Sequence, residues 1–176
     1  MAETATTATT ATTANPGTGL LAVYLNDHLT GSAAGVELAR RMARVHAGTA
    51  VGPDLARLAA EIEEDQGALT DLMRALGVPV RRHRILLGLA GERVGRLKPN
   101  GRIVRRSPLS TVTELEAMRL GVLGKLQCWR VLRHRAERDP RVPAARLDTL
   151  QERAEQQAGL LEDLRLRAAD RLLAVD

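Results

Sequence analysis

The chain has 176 residues and a formal net charge of +5, and it is 44% hydrophobic and 27% charged, enough for one sizeable core and short for two independent ones. Phe is absent and Trp and Tyr occur once each, while 28 Leu and 13 Val stand against 3 Ile, a mix that argues against an all-β fold, and apolar runs of only a few residues exclude a membrane span. The single cysteine, Cys128, leaves neither an internal disulfide nor a Cys-based zinc site and fits a reducing, cytoplasmic home.

Residues 1–19 hold eight Thr and five Ala, with no basic residue and no bulky apolar one after Met1. They cannot order themselves by burial and lack the basic start and apolar stretch of a secretory signal, so a disordered tail is expected. Four long segments of helical periodicity follow, over residues 20–47, 53–76, 110–138 and 143–175, punctuated by Gly48, Gly77 and Pro79, Ser107 and Pro108, and Asp139 and Pro140. At about 1.5 Å per residue these are rods of roughly 36 to 48 Å.

Assigning about 100° per residue gives each rod one apolar face. In the first, the face runs through Tyr24, Leu25, His28, Ser32, Gly35, Ala39 and Met42. In the second it runs through Leu58, Ile62, Asp65 or Gln66, Leu69 and Leu72. The third face holds Val112, Leu115, Arg119, Val122, Leu126 and Trp129, and the fourth Leu150, Ala154, Gln157, Leu161 and Leu164. Four amphipathic rods of matched length call for one shared core. The first and last links are about five residues, short enough to force antiparallel neighbours, whereas residues 77–109 can travel the whole length of a bundle. The expected fold is therefore all-α: two antiparallel helical hairpins joined by a long crossover.

The segments YLNDHLTGSAAGVELARRMA, LARLAAEIEEDQGALTDLMRALGV and LSTVTELEAMRLGVLGKLQCWRVL resemble ferritin-like four-helix proteins of a type common in high-GC bacteria, over about residues 20–174. Where active, that superfamily implies a di-metal carboxylate site, with one Glu from each of two helices and a Glu-x-x-His pair from each of the other two. Here the inward pairs in that register are Ile62 with Asp65, Asp65 with Ala68, and Gln66 with Leu69 in the second helix, and Ala154 with Gln157 or Glu155 with Ala158 in the fourth. None is Glu-x-x-His, so the metal site is degenerate, no metal ligand carries over, and no cofactor is expected.

Asp65, Arg119 and Gln157, with Glu116, interrupt their stripes near mid-helix. If the second and third helices run parallel, the first three fall within about one turn of one level. With His28 lower in the bundle, they are expected to form a buried, self-satisfying polar network that fixes helix register. His28, near the centre of an apolar face, is read as a hydrogen-bonded core histidine rather than a ligand. His46 is read as a cap or surface group, and His83 and His134 as parts of a solvated basic surface. Cys128, off its helix's stripe and without a histidine partner, is read as an inert thiol.

Residues 78–109 carry Arg81, Arg82, Arg84, Arg93, Arg96, Lys98, Arg102, Arg105 and Arg106 against Glu92 alone, a net +8 that leaves −3 for the rest of the chain. Within this link Ile85, Leu86, Leu89, Ala90, Val94 and Leu97 share one helical arc, which predicts a short helix lying on the bundle. The arginines would either pair with the acidic bundle or form an anion-binding strip for an acidic protein, an anionic membrane surface or nucleic acid phosphate. The functional expectation is a non-enzymatic interaction or structural bundle, with a homo-oligomer compatible. The alternative is a metal-binding or oxidative ferritin-like enzyme with an unorthodox site.

Overall fold

A computed structural model describes residues 16–81 and 108–174. They form four helices: α1 (Pro16–His46), α2 (Gly52–Ala75), α3 (Pro108–Ala136) and α4 (Ala144–Leu173). No strand occurs among the described residues, and none of their helices is long and apolar enough to cross a membrane. Residues 16–19, expected in the tail, belong to α1. The short helix expected in the crossover, with its arc from Ile85 to Leu97, falls outside the described residues, as do residues 1–15.

Helix ends follow local chemistry. The α1–α2 turn is closed by the Thr49 and Gly52 N–H groups, which donate to the His46 and Thr49 carbonyls at 2.9 and 3.0 Å. Position 52 needs glycine because a Cβ there would stand 2.5 Å from the His46 carbonyl oxygen, and Pro53 then starts α2 with the fixed φ that suits a first turn. At the far end Gly77 takes φ +70°. Its N–H donates to Arg74 O at 3.1 Å and the Val78 N–H to Met73 O at 2.8 Å, the double closure that a left-handed glycine allows. Val78 and Met73 are both buried beside it. After α3, the Asp139 carboxylate accepts from the Arg135 and Arg141 guanidinium groups at 2.7 Å and from the Arg141 N–H at 3.2 Å, closing the turn into α4. These bonds hold the Asp139 carboxyl well below the usual carboxylate range, the Arg141 side chain contributing most.

Contacts between helices fix their directions. Ser32 and Arg40 of α1 meet Gln66 and Glu63 of α2 at 3.0 and 2.6 Å, an antiparallel order. In α3 and α4, Arg119, Arg130 and Arg133 meet Glu162, Glu155 and Asp148, again antiparallel. Tyr24 hydrogen-bonds Cys128 while Arg41 pairs with Glu114, so α1 is antiparallel to α3 as well. It follows that α2 and α3 are parallel, with the end of one and the start of the other at opposite ends of a bundle about 36 Å long.

One continuous core runs through the bundle. Leu25, Met42, Leu58, Leu72, Met73, Trp129, Leu132, Leu147 and Leu161 are among its fully buried side chains. Two faces differ from their sequence expectation. On α1 the core side is Ala22, Leu29, Ala33 and Val36 together with Leu25, Ala39 and Met42, while His28, Ser32 and Gly35 are only half-buried. On α3 the buried set includes Met118, Cys128 and Leu132, and Arg119 lies at the edge. Asn26, unremarked in the stripe, is buried: its amide donates to Ala22 O and Pro79 O at 2.8 and 3.0 Å, and its oxygen accepts the Arg81 N–H at 2.8 Å, so α1 holds the chain as it leaves α2.

Candidate functional site

The centre of the bundle carries a layer of charge. Asp65 on α2 is 2% exposed. Its carboxylate accepts from the Lys125 ammonium on α3, from the Arg153 guanidinium on α4 and, at 3.4 Å, from the Gln157 amide. Gln157, itself 2% exposed, accepts from Lys125 at 2.6 Å and donates to Glu61 at 2.9 Å. Arg153 reaches on to the exposed Glu64 at 2.8 Å. Burial pushes the Lys125 ammonium below its ordinary pKa, with Asp65 opposing that shift. The Asp65 and Glu61 carboxylates of this layer therefore already have partners supplied by the chain.

The expected network is thus assembled in part and corrected in part. Asp65 and Gln157 come together, while His28 takes no part in their hydrogen bonds. Arg119 does not join them; it sits partly exposed with its Nε 3.3 Å from Glu162. Glu116 is exposed, 3.7 Å from Arg165. The reason is helical phase: Met118, one residue earlier, takes the inward position assigned to Arg119. Lys125 and Arg153 were missed because neither interrupts an apolar stripe. Each starts at a helix edge and carries its charge inward on a long side chain.

His28 is half-buried and stands edge-on to Tyr24, ring centroids 4.6 Å apart. Desolvation pushes its pKa down, partly offset by Asp27. Cys128 is a correction in position, since it is 1% exposed rather than turned away. It accepts a hydrogen bond from the Tyr24 hydroxyl, and burial pushes its thiol up to about 12, which suits an inert group. His134 is exposed, 3.2 Å from Glu137. Of the basic strip, Arg81 is described and exposed. Arg82, Arg84, Arg93, Arg96, Lys98, Arg102, Arg105 and Arg106 lie outside the described residues, with His83.

Above the charged layer a cavity of about 560 Å³ opens between α1, α2 and α3. Asp65 and Lys125 form part of its floor, and His28, Cys128 and Trp129 part of its walls. The turned phase of α1 explains this. Its sequence is small or apolar on two faces, so one packs on α2 and the other, with His28, Ser32 and Gly35, lines the cavity.

A ferritin-like di-metal centre does not fit these residues. No group of three or more His, Cys, Asp or Glu is placed to hold a metal ion among the described residues. At the level where inward carboxylates do occur, a lysine ammonium and an arginine guanidinium stand against them. Compared with family models, with curated proteins and with solved structures, the chain matches none.

Proposed function

We propose that the chain is a ferritin-like four-helix bundle that works by binding or as a structural element, and catalyses no reaction. The observation that carries this reading is the Lys125 ammonium lodged between Asp65 and Gln157 with Arg153 on the other carboxylate oxygen. Hard metal centres need several oxygen and imidazole ligands free to converge on one cation. In this interior the cationic places are taken by side chains. The ferritin-like part of the reading rests on the sequence resemblance, supported by the parallel run of α2 and α3 with a long link between them. The nine basic residues of that link supply a surface through which a cytoplasmic bundle would meet an acidic protein, an anionic membrane or nucleic acid phosphate.

The test is equilibrium dialysis of the purified chain against ferrous iron and manganese, followed by elemental analysis. No stoichiometric metal is the expected result. Two metals per chain that disappear in Glu61→Gln would overturn it in favour of a metal-binding or oxidative enzyme.

A further inference from the structure

We propose that the cavity between α1, α2 and α3 is a binding site for a neutral, largely apolar small molecule that carries a hydrogen-bond acceptor. This goes beyond the non-catalytic reading and does not depend on it.

The space itself is the first argument. A volume of about 560 Å³ falls in the range of roughly 300 to 1,000 Å³ typical of small-molecule sites. Four glycines line it, Gly31 and Gly35 on α1 and Gly121 and Gly124 on α3. A Cβ built at any of the four meets nothing within 4 Å. At Gly52 a carbonyl crowds the position, and glycine is the only choice; at these four no such crowding exists among the described residues. Glycine is a poor residue for a helix interior, and what four of them achieve here is open space.

The lining defines the ligand. Leu38, Ile62, Leu69, Met118 and Val122 make the wall mostly apolar. Trp129, which also lines it, is 1% exposed, and its indole N–H has no acceptor, although buried donors are nearly always paired. Lys125 has three N–H bonds, of which Asp65 and Gln157 take two. Trp129 and Lys125 thus keep unused donors, which a carbonyl or ether oxygen would satisfy. Charge argues for a neutral ligand: an anion would meet Asp65 and Asp27, while a cation would meet Lys125.

Prodan, a neutral naphthalene ketone, is a suitable probe because its absorption overlaps tryptophan emission, and Trp129 is the chain's single tryptophan. Titration of the full chain is expected to give saturable binding of one prodan per chain with quenching of Trp129. Gly35→Leu and Gly121→Leu, which fill the space, should each weaken binding by about tenfold or more while the unfolding midpoint stays level or rises. Gly159→Leu on α4, equally uncrowded and outside the cavity, should leave binding unchanged. Trp129→Phe, followed by the dye's own emission, should weaken prodan several-fold but leave dimethylaminonaphthalene, which lacks the ketone, unaffected. Anilinonaphthalene sulfonate, the anionic counterpart, should bind more weakly than prodan. Native-like binding by the folded filled variants would overturn the proposal, as would no saturable binding to the native chain. If binding then appears on changing Leu86 and Leu89 to Gln, the chain's own link is the occupant and the proposal is equally overturned.

Discussion

Across the α2–α4 seam, Glu61 meets Gln157, Glu64 meets Arg153, and Asp71 meets Arg146, at 2.9, 2.8 and 3.2 Å. The α1–α3 seam carries Gly31, Gly35, Gly121 and Gly124, with Tyr24 bonded to Cys128 towards one end and Arg41 paired with Glu114 near the other. The first seam is closed by directional bonds that fix the register of two antiparallel helices. The second brings its two backbones closer together, and beside it an apolar space between α1, α2 and α3 rests on the charged layer of the first. A bundle with leucine at the four glycine positions would gain burial and lose that space. Placing the long directional bonds in one seam and small residues in the other leaves room inside while the helices stay aligned.

The sharpest way to break this contrast is to unpair the closed seam. Asp65→Leu leaves the Lys125 and Arg153 charges facing each other with a shared counter-ion gone, and we expect a loss of about 3 kcal/mol in urea denaturation. Adding Lys125→Met should recover more than half of it, because the second change removes one stranded charge. Additive losses would show that the two residues do not share an interior site.

Next in size is the point where α1 holds the chain leaving α2. Asn26→Ala strands the Pro79 carbonyl and the Arg81 N–H, and a cost of about 2 kcal/mol follows from leaving such groups without partners. A neutral substitution would mean that this exit is not held by α1.

The glycines of the α1–α3 seam predict the opposite sign. Gly35→Ala and Gly121→Ala should each raise stability by up to about 1 kcal/mol, since the methyl group meets no atom within 4 Å and the helix gains propensity. Gly52→Ala should lower it, with the His46 carbonyl 2.5 Å from the new Cβ. Destabilisation by the first two would show that the seam is packed and the space illusory.

How much of this was legible in the sequence differs by helix. Helix existence and the two short turns could be read because Gly77, Pro53 and Asp139 act locally, through φ and through turn hydrogen bonds that need no tertiary partner. Asp65 and Gln157 were legible as polar breaks in strong stripes of Leu and Ile. In α3 the signal was weak, because Met118, Leu120, Val122 and Leu123 crowd an arc too wide to fix its phase, and an error of one residue put Arg119 inside. In α1 two faces are equally small, so pattern alone could not say which one packs and which one lines a cavity. Lys125 and Arg153 were invisible to stripe reading for a different reason: where a long side chain's charge ends up depends on the carboxylate waiting for it.

The smallest effect tests that phase error directly. Arg119→Met removes a partly exposed guanidinium whose Nε lies 3.3 Å from Glu162. Glu162 does not depend on it, because Arg165 donates to both its oxygens at 3.0 and 2.7 Å. The Glu162 pKa is accordingly lowered first by the Arg165 hydrogen bonds, with Arg119 a lesser influence. An exposed pair whose acid keeps another partner contributes little, and the change should cost about 0.5 kcal/mol or less. Raising salt should shrink even that, since the interaction is screened where water reaches it. A loss as large as that of Asp65→Leu, insensitive to salt, would return Arg119 to the interior and turn the whole face of α3 with it.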